Sequence, residues 1–286
     1  MFCVHACGYI CFFLCIAIDS SYANSKIHSS VYWNPNGALD RVASLDDGFL
    51  RIWRLETLSS LKPSETFALA PTEKRGGLAR STRASWSPTS GHVIATANDL
   101  SVRGWDLRSQ RDAFCIDRAH SVLVRDVDFN PNVSHQLLSA GDDGLVRVWD
   151  TRSTRSSIKE IRVHSHWVWR AQYNRFHDQL VLSAGSDAKV VLSSIASVSS
   201  ANTLSSAAAA SDEEDDDENR HAHAADAHRG GKVRDGVVMM ASDQHDDSIY
   251  AVAWSAADPW VFASVSWDGR IVFNIVPKEE KYKILL

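Results

Sequence analysis

Three sets of histidine, serine and aspartate recur along this 286-residue chain: His120, Ser139 and Asp143; His164, Ser183 and Asp187; His245, Ser264 and Asp268. These are the residue types of a hydrolase triad, in which a histidine takes the proton of a serine hydroxyl and an aspartate orients the imidazole. A triad is built once, in one cleft, whereas these sets return in a fixed frame. Each histidine stands nine residues before an aromatic (Phe129, Tyr173, Trp254), and each aspartate stands 14 after it. Recurrence in three frames marks them as structural. There is also no phosphate-binding glycine loop, HExxH, C-x-x-C pair or G-x-S-x-G elbow. The chain is therefore read as a non-enzyme with no cofactor and no small-molecule substrate. His221, His223 and His228 have no cysteine or acid at ligand spacing and read as a solvated tract rather than a metal site.

The frame that carries these sets extends along the chain. Aromatics that end a short strand fall at Trp33, Trp86, Phe129, Tyr173 and Trp254. A turn aspartate follows each at 13 or 14 residues (Asp47, Asp99, Asp143, Asp187, Asp268). Six residues further on stands a second anchor, Trp53, Trp105, Trp149, Ser193 or Asn274. In the third repeat, Val124 to Phe129, Leu137 to Gly141 and Leu145 to Asp150 are apolar and β-branched runs. Asn130-Pro131 and Asp142-Asp143-Gly144 break them, which predicts antiparallel strands joined by tight turns, with Ser157 to Val163 as a fourth. Ala119-His120 ahead and Trp149-Asp150 behind make this the WD-repeat signature. The fold class is thus all-β, a WD40 β-propeller with five recognisable blades. In each blade the loop histidine, strand serine, turn aspartate and closing tryptophan are expected to share one hydrogen-bond network. Ser193 and Asn274 replace that tryptophan, and Asn24 and Gly77 stand where the first two histidines are expected.

Composition agrees with such a fold. Hydrophobic residues make up 44% of the chain, enough for a substantial core, and ten tryptophans supply rigid packing units. Of the net charge of −5, seven acids lie in one run, Asp212 to Glu218; the remainder is near neutral, with no basic face for nucleic acid. Four of five cysteines fall in the first fifteen residues, so Cys115 alone in the body excludes an internal disulfide framework and fits a reducing compartment. The apolar leader has no Lys or Arg before Lys26, so it is not expected to direct secretion, and no later stretch is long enough to span a membrane. The domains read as a leader at 1–28, blades at 29–195, an acidic disordered insert at 196–236 and a last blade at 237–286. Ser211, with Glu214 three residues on, suits an acid-directed kinase.

Several runs are more specific than a generic WD repeat. His164-Ser165-His166-Trp167-Val168-Trp169, Asn174 to Ser186, Asp247-Ser248-Ile249-Tyr250-Ala251-Val252, Ala256-Ala257-Asp258-Pro259-Trp260 and Val93 to Trp105 resemble the EARP and GARP complex-interacting proteins. The resemblance runs from about Val31 to the end and includes an acidic insert in the same place. It implies a seven-bladed propeller, of which two N-terminal blades have no counterpart here. It further implies binding to the tethering complexes of endosomes and the trans-Golgi network, in endocytic recycling, retrograde traffic and dense-core vesicle cargo sorting. A cytoplasmic protein that reaches membranes only through its partners is expected. Propeller partners commonly meet the loops around one mouth. The residues five after each repeat histidine, Arg125, Trp169 and Tyr250, are candidates for that contact, joined by Trp167 and Trp260. A rival reading is a substrate receptor of a cullin-type ubiquitin ligase. Leu137 to Arg152 and Val93 to Arg108 approach the Trp-Asp-x-Arg motif that the ligase adaptor recognises, with Arg152 and Arg108 as contacts.

Overall fold

The structure, a computed structural model, describes residues 30–34, 41–46, 48–54, 63–69, 81–202 and 235–286. The leader, its four cysteines, Asn24, Gly77, Asp47, Ser211 and the acidic run with its histidines lie outside the described residues.

Among the described residues five antiparallel sheets follow one another along the chain. The first holds β1 (Ser30–Trp33), β2 (Arg41–Asp46), β3 (Phe49–Arg54) and β4 (Glu65–Ala68). The second holds β5 (Ser81–Trp86), β6 (Val93–Asn98), β7 (Ser101–Asp106) and β8 (Arg111–Ile116). The third holds β9 (Val124–Phe129), β10 (Gln136–Gly141), β11 (Leu145–Asp150) and β12 (Lys159–Arg162). The fourth holds β13 (Val168–Tyr173), β14 (Leu180–Gly185), β15 (Val190–Ser194) and β16 (Gly236–Ala241). The fifth has three strands, β17 (Ile249–Trp254), β18 (Val261–Ser266) and β19 (Ile271–Ile275), followed by helix α1 (Lys278–Leu285). The first strand of each sheet packs against the first strand of the next, from β1 through β5, β9 and β13 to β17.

The frame aromatics Trp86, Phe129, Tyr173 and Trp254 sit in the seams between sheets. Trp86, Ala84 and Ile94 of the second sheet pack with Leu50, Ile52 and Phe67 of the first; Tyr173 and Ala171 of the fourth pack with Leu138, Val146 and Val148 of the third. Strands β10 and β14 are buried along their whole length, because each has a neighbouring sheet on both faces. A strand-end asparagine adds polar specificity at three of the four seams. Asn34 Nδ2 donates to Gly91 O (3.2 Å), Asn130 Nδ2 to Asp178 Oδ2 (3.0 Å) and Asn174 Nδ2 to Pro259 O (2.6 Å). The Oδ1 atoms of Asn130 and Asn174 also accept two backbone N–H groups each, closing the turn after the strand.

The expected boundary at 236/237 is corrected. Gly236–Ala241 does not open the last sheet; it pairs with β15, Val190 opposite Ala241 and Ser194 opposite Gly236. The insert therefore lies between the third and fourth strands of the fourth sheet, since β15 would otherwise leave its backbone groups unpaired at an edge. Its flanks are also structured, contrary to the expected disorder over 196–236. Ser200 donates from N and Oγ to Asp178 (2.8 and 2.6 Å), and Asp235 binds Lys159 Nζ (2.5 Å), the Ser197 N–H (2.9 Å) and the Ser197 hydroxyl.

Candidate protein-docking surface

In the third sheet His120 Nδ1 lies 2.8 Å from Asp143 Oδ1, His120 Nε2 lies 2.8 Å from Ser139 Oγ, and Trp149 Nε1 donates to Ser139 Oγ at 2.9 Å. An ionised carboxylate only accepts and an indole only donates, so in the neutral imidazole Nδ1 carries the proton and Ser139 gives its hydroxyl proton to Nε2. Ser139 is fully buried, with its proton and its oxygen both engaged inside the blade. Arg147 Nη1 joins the set through Asp143 Oδ2 (2.9 Å) and Ala119 O (3.0 Å). Burial alone would push the Asp143 carboxyl up; the bonds from His120, Arg147 and the Ser121 N–H outweigh it and hold it well below the usual carboxylate range. Gly141 makes room for this: a Cβ there would lie 2.5 Å from His120 Nδ1.

The other sheets vary the theme. His164 meets Asp187 (3.0 Å) and Ser183 (2.9 Å), but Ser193, in the tryptophan position, is buried with its hydroxyl unpartnered. His245 meets Asp268 (3.2 Å) and Ser264 (2.8 Å), while Asn274 forms a reciprocal amide pair with Gln244 (2.8 and 2.9 Å). In the second sheet Trp105 donates to Thr96 Oγ1 (2.9 Å), and Asn98 supplies a second donor (3.1 Å), where no histidine exists. Trp53 donates to Ser44 Oγ (2.8 Å) in the first.

The rim residues owe their positions to a repeated irregularity. The first strand of each of sheets two to five is bulged at its second residue: Thr82, Arg125, Trp169 and Tyr250. A bulge removes one residue from the ladder and re-aims its side chain. Each of the last three meets the residue just before the turn aspartate. Arg125 grips Asp142 through Nε (2.5 Å) and Nη2 (2.8 Å), Trp169 Nε1 donates to Ser186 Oγ (2.6 Å), and the Tyr250 ring packs on Trp267 at 4.7 Å between centroids. The Arg125 guanidinium also lies 4.3 Å from the Trp169 ring centroid and 5.2 Å from that of Trp167. Arg125, Trp167 and Trp169 thus form one cluster across the third and fourth sheets. Trp167 is 41% exposed, and Trp169 is partly buried. Thr82 and Trp267 were not singled out in the sequence, and Asp142 only as a turn residue; Trp267 interrupts a position otherwise held by polar residues, and that interruption was its only signal.

Trp260 does not join this cluster. It lies after β17, at the strand end remote from Tyr250, where His177 stacks on it (4.6 Å, 22°) and Lys281 of α1 approaches at 5.5 Å. Arg108 and Arg152 occupy matching turns after β7 and β11. Each backbone N–H donates to the aspartate two residues earlier (Asp106 and Asp150, both 2.9 Å), and both side chains are exposed. Among the described residues no group of His, Cys, Asp and Glu is arranged to hold a metal, and no helix is long and apolar enough to cross a membrane.

Sequential antiparallel sheets of three or four strands, packed inner strand to inner strand, three of them pinned by a buried tryptophan, define a WD-repeat β-propeller. The WD40 G-beta repeat matches residues 237–273, and the model described as EIPR1 beta-propeller matches residues 16–193. The chain belongs to the EIPR1 β-propeller family. It is 42% identical to EARP-interacting protein homolog of Danio rerio, over 93% of this chain and 67% of the relative. It is 40% identical to EARP and GARP complex-interacting protein 1 of Homo sapiens, over 96% and 68%. It is 45% identical to EARP-interacting protein homolog of Dictyostelium discoideum, over 90% and 64%.

Proposed function

We propose that this chain is a non-enzymatic docking platform that binds the EARP and GARP tethering complexes and supports endocytic recycling and vesicle traffic. It works in the cytoplasm, is recruited to endosomes and the trans-Golgi network, and touches membranes only through its partners. The observation that carries the reading is the row of bulge residues Arg125, Trp169 and Tyr250, with exposed Trp167 and Trp267 beside them. Trp, Tyr and Arg dominate interface energetics because they bury large areas at small entropic cost. The relatives' names supply the partner.

The test is recovery of the tethering complexes on the immobilised full chain. Trp167→Ala with Tyr250→Ala is expected to cut recovery by roughly tenfold, the scale of an interface hot spot, with the melting temperature kept. Undiminished recovery discards this surface. Trp169 is less suited to that test, since it also anchors Arg125 and Ser186.

A second reading, a receptor for a cullin-type ligase adaptor, draws on the identical turns that present Arg108 and Arg152. Co-purification of the adaptor, lost on Arg152→Ala, is the outcome it requires.

A further inference from the structure

The Arg125 cluster shows within this molecule how its rim holds a cation. The guanidinium lies over the Trp169 ring, and the Asp142 carboxylate takes its N–H groups in a bidentate pair. The fifth blade has Trp267 in the place of Asp142, and its acids come instead from the loop before its first strand, with no cation on the Tyr250 or Trp267 ring among the described residues. Tyr250, at the bulge, packs on Trp267 at 4.7 Å with an interplanar angle of 39°, and Trp267 is 67% exposed. The loop entering β17 carries Asp243, Asp246 and Asp247, all exposed, and is fastened to the same corner. The Trp267 N–H donates to Ser248 O (3.1 Å), and Ser266 Oγ donates to Asp247 O (2.9 Å). The base on this corner, Arg270, is paired with Asp246 (2.7 Å), and among the described residues no cation–ring contact involves Tyr250 or Trp267.

We infer that Tyr250 and Trp267, rimmed by Asp246 and Asp247, form a binding site for an arginine or lysine side chain presented by a partner protein. The indole face attracts a cation through its quadrupole, and the flanking carboxylates add charge complementarity. A neutral apolar segment would gain contact with the rings but would leave Asp247, which meets no base among the described residues, uncompensated beside the Asp246–Arg270 pair. The inference deepens the docking reading, because it gives the chemistry of the partner at one blade.

The experiment follows the ten indole N–H signals of the isotope-labelled full chain by NMR, with the Trp267 signal assigned by its absence in Trp267→Phe. N-acetyl-arginine amide is expected to move the Trp267 signal saturably. N-acetyl-citrulline amide, its uncharged isostere, is expected to bind about tenfold more weakly if charge carries the contact. Asp246→Asn with Asp247→Asn should weaken the arginine response several-fold, and Trp167→Ala should leave it intact. Equal responses to arginine and citrulline, or a response unchanged in the double Asn variant, would overturn the inference. Those results leave tethering-complex recovery untouched. Conversely, recovery that survives Trp167→Ala with Tyr250→Ala removes the docking reading while a charge-dependent shift at Trp267 still stands, so the two failures are separable.

Discussion

The guanidinium of Arg125, on the third blade, sits 4.3 Å from the ring centroid of Trp169, on the fourth, while Asp142 grips its donors from the other side. One side chain therefore ties two blades at the rim. Its charge is balanced by a carboxylate of its own blade and its flat face is covered by an indole of the next.

A double-mutant cycle over Arg125→Ala and Trp169→Ala is expected to give a coupling of about 1 kcal/mol in thermal or urea unfolding, since the pair is partly shielded from water. Additive effects would show that the stack is geometric only.

The buried networks make opposite predictions for neighbouring serines. Ser183→Ala removes the hydroxyl that meets His164 and should cost about 1–3 kcal/mol, the scale of a buried group left without its partner. Ser193→Ala removes a buried hydroxyl that has no partner, so stability should hold or rise slightly. Chemical denaturation of both variants checks the contrast, and a large loss for Ser193→Ala would contradict the blade-four network as described.

At the blade seam Asp128 accepts from the Tyr173 N–H (3.0 Å) and from Ser85 Oγ (3.2 Å), joining blades two, three and four. Burial pushes its carboxyl up to about 6, against relief from Arg175. A folded-state value above the unfolded one means that the native state holds the proton longer, so this group's contribution falls as pH rises from about 4 through 6. Relative to wild type, Asp128→Asn should gain roughly 1–2 kcal/mol between pH 5 and pH 8. Equal pH dependence in the two proteins would refute the assignment.

Asp143 and Asp187 act with the reverse sign. Burial raises each carboxyl, but the histidine and backbone donors more than reverse it, so both sit below the ordinary carboxylate range. Their contribution is complete above the unfolded value near 4 and is lost as pH falls through the depressed folded values. Asp143→Asn should flatten the acid limb of the stability profile below pH 4, as read from melting temperature against pH.

Gly141→Ala tests the steric side of the network, because the added methyl would meet the His120 ring and Asp143. A loss on the order of 1–3 kcal/mol is expected from overpacking, visible as a lower melting temperature.

Much of the fold was legible because the frame aromatic, the turn aspartate and the closing tryptophan or its substitute recur at fixed distances along the chain, and local spacing is a property a linear pattern preserves. The all-β propeller and its family follow from that frame and from runs such as His164 to Trp169. The fourth strand of the fourth blade was not legible: an insert separates Gly236–Ala241 from β15, and only the ladder shows where it returns. Asn98 standing in for a histidine was hidden for a related reason, since its donor reaches Thr96 from the far end of the same strand rather than from the preceding loop.

The period of aromatic, aspartate and tryptophan, read from the chain alone, determined that antiparallel blades would form and which side chains each would bury. Only the tertiary structure decided which blades lend residues to a common surface. The bulges at Arg125, Trp169 and Tyr250 turn those side chains out of the ladder, and the seams set Arg125 over Trp169 and leave Trp260 at the opposite end. Contacts between blades depend on the packing angle and register of whole sheets, and no spacing within one repeat encodes them.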